Sequence, residues 1–280
     1  MIKVLKAGFF ASIQDKGRIG FAAVGIPVSG VMDRYAADIA NSILNNPLED
    51  AVIEITLGGI ELQFLSDTFI CLSGGDFSPK INGVPILMNS RINVLKNDIL
   101  SFGKVTHGVR CYLSVKGGIQ TKKVLKSRSF YKGITETSVI KKNTIFSIKE
   151  TAKEKVLANA SIKILKSHFQ TKEMQCTKGP EFYLLNEIQK KKIIQQTFTI
   201  SNENNRMGYR LNELLDNELP SILTSAVLPG TVQLTPSGKL IILMRDCQVT
   251  GGYPRILQLT SNAINQLAQK TTKSEIQFIL

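Results

Sequence analysis

Apolar and polar residues alternate along much of the chain at the period of a strand rather than that of a helix. Val52-Ile53-Glu54-Ile55-Thr56-Leu57 is rich in β-branched residues, and after Gly58-Gly59 comes Ile60-Glu61-Leu62-Gln63-Phe64, apolar at every second position. The pair predicts a hairpin that turns at the two glycines. Segments 69–72, 92–95, 109–115, 230–234 and 240–244 continue the pattern between Gly-rich turns. Short strands spaced in this way argue for a mainly β fold, a barrel or a sandwich.

Helical periodicity is confined to three places. Asp33 can cap a helix to about Asn45, with Ala36, Ala37, Ile39, Ala40, Ile43 and Leu44 on one face and Pro47 ending it. A second helix is expected to begin near Pro180 and to use Phe182, Leu185 and Ile188, because proline suits a first turn. A third is expected after Thr260 or Ser261, carrying Ile264, Leu267 and Ala268. The polar, weakly patterned stretch 149–178 is the candidate boundary or excursion between two β lobes within 1–280. No apolar run reaches 18 residues and Met1–Leu5 lacks the features of a leader, so a soluble, cytoplasmic chain with no membrane partner is expected.

Composition changes this picture in two respects. The 280 residues carry 35 Lys+Arg against 22 Asp+Glu, a net +13, and nearly all of the excess lies in 116–192, with 18 basic and 6 acidic residues. Those cations are mostly Lys, and neither an RNA-recognition signature nor a zinc-finger spacing accompanies them. The stretch therefore reads as a solvated surface or a face for an acidic partner, with nucleic acid ranked below both. The four cysteines stand 40, 65 and 71 residues apart, which fits neither a disulfide framework nor a metal site, and Cys71 and Cys111 lie in apolar runs that predict burial. His107 and His168 are the only histidines, and His107 sits in a turn context, so a histidine-based centre has little to build on.

Polar residues and glycines crowd into four stretches. They are 14–20 with 25–33, then 72–76, 205–211, and 246–254 preceded by 230–233. Gln14 and Asp15 offer a donor and a base, or a turn. Arg18 can neutralise a carboxylate or phosphate, or pair with Asp15. Ser29 and Gly30 could line backbone N–H groups on an anion, or form an ordinary tight turn. Asp33 reads as a cap before a catalytic acid. Asp76, after two glycines at a strand end, reads equally as a site or a turn residue. Asn205, Arg206 and Arg210 flank Met207-Gly208-Tyr209, and two nearby guanidiniums favour an anion between them. If 246–248 is a strand end, Asp246 and Gln248 alternate onto one side, with Gly251, Gly252 and Tyr253 beyond, which makes Asp246 the best candidate for a catalytic base.

These motifs resemble the carboxyltransferase-like family that includes the 5-oxoprolinase C subunits, the allophanate hydrolase subunit 2 proteins and the antagonist of the sporulation-kinase inhibitor; the urea carboxylase carboxyltransferase domain is a relative. Gln14–Gly20, Gly25–Asp33, Arg206–Leu211 and Asp246–Pro254 carry the likeness in the family's order, over about 8–278. Departures occur at Lys126-Ser127-Arg128-Ser129-Phe130, where the family usually has Gly-Ser-Arg-Ser-Thr, at 132–136, and at Ala226, where a Glu is common. The resemblance implies a cyclophilin-like β-barrel architecture. It also implies a role as the C subunit of a 5-oxoprolinase complex with A-like and B-like subunits as partners, which opens 5-oxoproline to glutamate with ATP as co-substrate. A small anionic substrate is expected, with no metal and no covalently bound biotin in this chain. Two other functions stay open: a regulatory partner without chemistry of its own, and a carboxyltransferase served by carboxybiotin on another chain.

Overall fold

The computed structural model describes residues 1–149 and 162–280. They form two compact units, Met1–Arg18 with Ser29–Leu165, and Ile19–Val28 with Lys166–Leu280. Part of the expected boundary stretch, 150–161, lies outside the described residues. Its later part contains the change of unit and the start of strand Glu173–Lys178.

The first unit is built from two antiparallel sheets. One has six strands in the order Ile145–Phe146, Ile2–Ala7, Ile60–Phe64, Ile99–Phe102, Pro79–Ile81, Val84–Pro85. The other has five, in the order Phe10–Gln14, Val52–Thr56, His107–Val115, Thr68–Asp76, Ile92–Val94. Strand periodicity explains the core between them: Ile2, Val4, Leu62 and Phe64 from one sheet join Ala11, Ile13, Ile53, Ile55, Leu72, Cys111 and Leu113 from the other in one buried apolar cluster. The alternate positions of the five-stranded sheet, Ser12, Gln14, Glu54, Ser73 and Tyr112, are polar yet fully buried. Helix Arg34–Ile43 accounts for this on part of that face, since its Ala36 and Ala37 pack with Val52 and Tyr112. A polar row sealed in this way must make its own hydrogen bonds, which sets up the chemistry described below.

The expected hairpin at 58–59 does not form. Val52–Thr56 and Ile60–Phe64 are strands, but they lie in different sheets and do not pair. Leu57, Gly58 and Gly59 have φ of 55°, 74° and 77°, and three left-handed residues in succession carry the chain from one sheet to the other instead of folding it back.

The second unit contains a closed barrel of seven strands, Glu173–Lys178, Arg255–Leu259, Thr231–Leu234, Lys239–Leu243, Gly208–Leu214, Phe198–Asn204 and Glu275–Ile279. All pairings are antiparallel except that of Glu173–Lys178 with Glu275–Ile279. Alternate residues such as Ile200, Tyr209, Leu211, Val232, Leu240 and Ile242 are buried and fill it. The fold is thus mostly β with few helices, as the pattern predicted.

Two helices start where the sequence placed them. Asp33 accepts from Ala36 N at 3.1 Å to cap Arg34–Ile43, and Thr260 accepts from Ala263 N at 3.2 Å to cap Ser261–Leu267. The helix expected from Pro180 starts later. Phe182–Leu184 is a short 3-10 turn, and Glu187–Gln195 follows a capping box between Asn186 and Gln189, which fixes the start. Ile188 is consequently exposed, and Ile193 is the buried residue of that helix. Among the described residues no helix is long and apolar enough to cross a membrane.

Candidate functional site

The predicted residues divide between the two units, and in each a motif carboxylate is the organising group. In the first unit it is Asp15, just beyond the end of strand Phe10–Gln14. Its Oδ1 accepts from Gly17 N at 2.8 Å, Ser127 Oγ at 2.6 Å and Ser129 Oγ at 2.7 Å, and its Oδ2 from Arg128 N at 2.6 Å. Asp15 N in turn donates to Ser129 Oγ at 3.0 Å, and Asp15 O accepts from Val31 N at 3.0 Å. One residue, through side chain and backbone together, therefore ties segments 15–18, 29–31 and 127–129.

Gly30 makes the closest of these approaches possible. Its φ is 94°, and a Cβ there would lie 2.9 Å from Asp15 O. Ser29 beside it also has a positive φ, 60°. The N–H groups that follow are committed inside the protein: Val31 to Asp15 O, Met32 to Glu54 Oε2 at 2.8 Å, and Asp33 to the Tyr112 hydroxyl at 2.7 Å. These bonds build a turn directly after Ser29 and Gly30. Arg18 is fully buried and donates through Nη2 to the Ser129 carbonyl. Gln14, also fully buried, donates to Ser12 Oγ at 3.0 Å and Phe130 O at 3.3 Å, while its Oε1 has no hydrogen-bond partner. Asp76 accepts from Ser78 N at 2.8 Å, closing a turn at the end of its strand.

The second unit brings Arg206 and Asp246 together. Nε and Nη2 of Arg206 donate to Oδ2 and Oδ1 of Asp246 at 2.8 and 2.9 Å, a two-pronged pair of largely buried side chains. Asp246 N donates to Arg206 O at 2.8 Å, so backbone and side chains lock the same two residues. Asn205 shapes the turn before them, its Oδ1 accepting from Met207 N at 2.7 Å.

Three expectations change here. Residues 246–248 are not a strand end: Cys247 N donates to Met244 O at 3.0 Å, closing a turn that buries Asp246 and leaves Gln248 exposed. The alternation that would set Asp246 beside Gln248 is therefore absent. Asp246 would have to release a guanidinium before it could act as a base. Arg210 does not share an anion with Arg206, because it lies on strand Gly208–Leu214 and pairs with exposed Glu203. Gly251 pairs with Ser225 in a two-stranded ribbon, and a Cβ on it would come within 2.6 Å of Gln233 Nε2. Gly252 O accepts from Ile222 N at 3.0 Å, and Tyr253 is partly exposed.

Sequence reasoning missed several functional-looking residues. Ser127 and Ser129 were legible as the part of the Ser-Arg-Ser motif that this chain retains. Glu54 and Arg110 form a buried pair at 3.8 Å, for which strand alternation alone gave no signal. Glu181 and Arg255 form a second, partly buried pair: Arg255 donates through its backbone N and Nε to Oε2 at 2.8 and 2.9 Å and through Nη2 to Oε1 at 2.8 Å. These bonds hold the Glu181 carboxyl below its usual range and raise Arg255. The cysteines are all free and buried, and burial pushes Cys71 and Cys247 up to about 12, so neither is a thiolate nucleophile.

Comparison with known proteins places these geometries in a context. A family model described as "carboxyltransferase domain, subdomain A and B" matches residues 24–280. The 5-oxoprolinase C subunit of Escherichia coli (strain K12) is 30% identical over 100% of this chain and 91% of its own length. Its namesake from Haemophilus influenzae is 31% identical over 99% and 90%. Among solved structures, the K. lactis urea amidolyase superposes with a TM-score of 0.86 at 28% identity, covering 99% of this chain and 18% of that much longer one.

Proposed function

The chain belongs to the carboxyltransferase family of subdomains A and B, and from that premise we propose that it is the C subunit of a cytoplasmic complex that hydrolyses 5-oxoproline to glutamate at the expense of ATP. The observation that carries the reading is the extent of the likeness to the two 5-oxoprolinase C subunits, which runs nearly end to end in both partners of each comparison.

The chemistry sets the requirements. An unactivated lactam carbonyl is a poor electrophile. Transfer of the γ-phosphoryl of ATP to its oxygen, with ADP leaving, would activate it. A first water would then add at the ring carbon and the ring C–N bond would break with a proton passing to nitrogen, leaving a γ-glutamyl phosphate that a second water would hydrolyse to glutamate and phosphate. The protein must neutralise anions and hold the substrate's carboxylate. Arg206, fixed by Asp246, is a guanidinium held in one orientation, the kind of group that grips a carboxylate or phosphate. Asp15 acts in this scheme as a positioning residue that fixes the 127–129 segment.

The test is co-expression with the A-like and B-like partner proteins and an assay of glutamate released from 5-oxoproline and ATP. No ATP-dependent release by the assembled complex would sink the proposal. A second reading has one observation in its favour: both motif carboxylates proposed as bases are already engaged, Asp15 by four donors and Asp246 by Arg206. A regulatory protein that binds a partner without turnover would need no free base. The same assay separates the two, because only the first predicts that Arg206→Ala in the complex reduces glutamate release.

A further inference from the structure

The lysines that make the middle of the chain so basic do not all spread over a convex surface. A cleft of about 900 Å³ in the first unit gathers Lys16, Lys116, Lys123, Lys126, Arg128 and Lys149 on its walls. Three carboxylates, Asp15, Glu49 and Asp50, face them. Asp15 is engaged by its four donors and Lys16 by Asp38. Arg128 donates to the neutral Gln120 Oε1 at 2.6 Å, and Lys116 to the carbonyl of Leu44 at 3.0 Å. Gln120 is neutral, so it orients Arg128 without cancelling its charge.

Backbone geometry forces the crowding. Gly117 and Gly118 have φ of 77° and 72°. A Cβ on the first would lie 2.7 Å from the Cβ of Lys149, and one on the second 2.9 Å from that of Asp50. The turn thus seats both side chains directly against itself. Burial, then Glu49, push the Asp50 carboxyl up, while Lys149, Arg128 and Lys123 pull it down, which places those three cations around one point.

The turn at Leu125-Lys126 is more telling. Val124 and Ser127 exchange both backbone hydrogen bonds, at 2.8 and 3.2 Å, around two residues with φ of 51° and 64°. Such a turn asks for Asn-Gly or Gly-Gly. Glycine is also what the resembling family usually has at position 126. A lysine standing there bears backbone strain, and its side chain lines the cleft.

We propose that this cleft binds a small, multiply charged phosphoryl ligand, either the polyphosphate of a nucleotide or a phosphorylated small acid. Several point-charge ammonium groups suit many phosphate oxygens rather than the two of a single carboxylate. The volume falls in the range of small-molecule sites and fits a nucleotide-sized ligand, not a duplex. As the place where an ATP-driven lactam opening would hold its phosphates, the assignment rests on the reading above, but its test needs no turnover.

Titration calorimetry of the full chain with inorganic tripolyphosphate is the direct measurement. Saturable binding is expected, weakened about tenfold or more by the pair Lys123→Gln and Lys126→Gln, since each lost charge removes a contact of the strong, charge-assisted kind. The pair Lys191→Gln and Lys192→Gln, exposed on helix Glu187–Gln195 of the other unit, should leave affinity unchanged. Lys126→Gly gives a second readout, for it should raise the melting temperature by removing strain while lowering affinity. ATP binding more tightly than tripolyphosphate would identify a nucleotide, and ATP binding no more tightly would identify a phosphorylated acid. The proposal falls if tripolyphosphate does not saturate, if the control pair weakens binding equally, or if Lys126→Gly leaves affinity intact. Phosphate binding retained by a complex that releases no glutamate would remove the lactam reading and leave the cleft assignment standing.

Discussion

Asp15 in the first unit and Asp246 in the second are both motif carboxylates, both largely buried, and both held by short hydrogen bonds, yet they are held in opposite ways. Asp15 is surrounded by neutral donors, two hydroxyls and two backbone N–H groups drawn from two separate segments. Asp246 faces one guanidinium through two parallel bonds. The first arrangement spreads a charge over the joints of a loop cluster, so its loss loosens several segments at once. The second sets the carboxylate edge to edge against a guanidinium, whose own charge it offsets. The difference teaches which role each residue can fill: Asp15 builds a cleft wall, and Asp246 aims an arginine.

The largest effect expected from this contrast is that of Asp15→Ala. It strips the acceptor from four donors, of which the Ser127 and Ser129 groups are fully buried, and should cost about 3–5 kcal/mol, the scale for breaking a buried network. Urea unfolding measures it. A loss below about 1 kcal/mol would mean that water replaces the carboxylate, and the clamp would be no clamp.

Asp246→Ala should cost somewhat less, about 2–4 kcal/mol, because it leaves a buried guanidinium without its counter-charge. The comparison sharpens in the double variant. Arg206→Met with Asp246→Ala should be more stable than Asp246→Ala alone, since removing the second charge removes the penalty. No such rescue is expected when Ser127→Ala and Ser129→Ala are added to Asp15→Ala, because the backbone donors at 17 and 128 remain. Equal behaviour of the two sets of variants in denaturation would erase the distinction drawn here.

Glu181 and Arg255 supply a pH-dependent version of the guanidinium type. The Glu181 carboxyl is lowered on folding, chiefly by the Arg255 side-chain hydrogen bonds. A group of this sign stabilises fully above its unfolded value near 4.5 and loses that stabilisation as pH falls through the lower folded value. Stability measured from neutral pH downward should therefore show an acid-limb contribution of about 1 kcal/mol that Glu181→Gln abolishes. An unchanged acid limb in Glu181→Gln would show that the pair contributes nothing.

What the sequence made legible was local. Alternation located most of the strands, and the caps Asp33 and Thr260 located two helix starts, because each of these signals is complete within a few residues. The motif residues Asp15, Arg206 and Asp246 were also picked out. Their partners were harder to read, since Ser127 and Ser129 lie 112 and 114 positions from Asp15, and Asp246 lies 40 from Arg206. Periodicity says which face a residue takes, not which distant segment meets it there. Two local signals also misled for a physical reason. Gly58-Gly59 resembles a hairpin turn until the positive φ of Leu57 is added, and Asp246–Gln248 resembles a strand end until the Met244–Cys247 bond closes a turn. The concentration of positive charge was plain in composition, whereas its concavity depends on Gly117, Gly118 and the strained turn at Lys126.

The smallest effect should come from Arg210, and it tests whether sequence proximity to Arg206 means shared function. The two arginines are four residues apart, and at that spacing a common anion is an economical explanation for both. The barrel separates them in kind. Arg206 sits in the turn before strand Gly208–Leu214, buried against Asp246, while Arg210 is on the strand itself between buried Tyr209 and Leu211, so its side chain takes the outer face. There it meets Glu203, and the side chains of both are about half exposed, at 47% and 51%. Water and salt screen such a pair, so Arg210→Gln should leave the unfolding midpoint where it is. In the assembled complex it should also leave glutamate release unchanged, whereas Arg206→Gln should reduce it. A loss of turnover in Arg210→Gln equal to that in Arg206→Gln would place both guanidiniums on one ligand, and the line drawn between the buried arginine and the exposed one would have to be withdrawn.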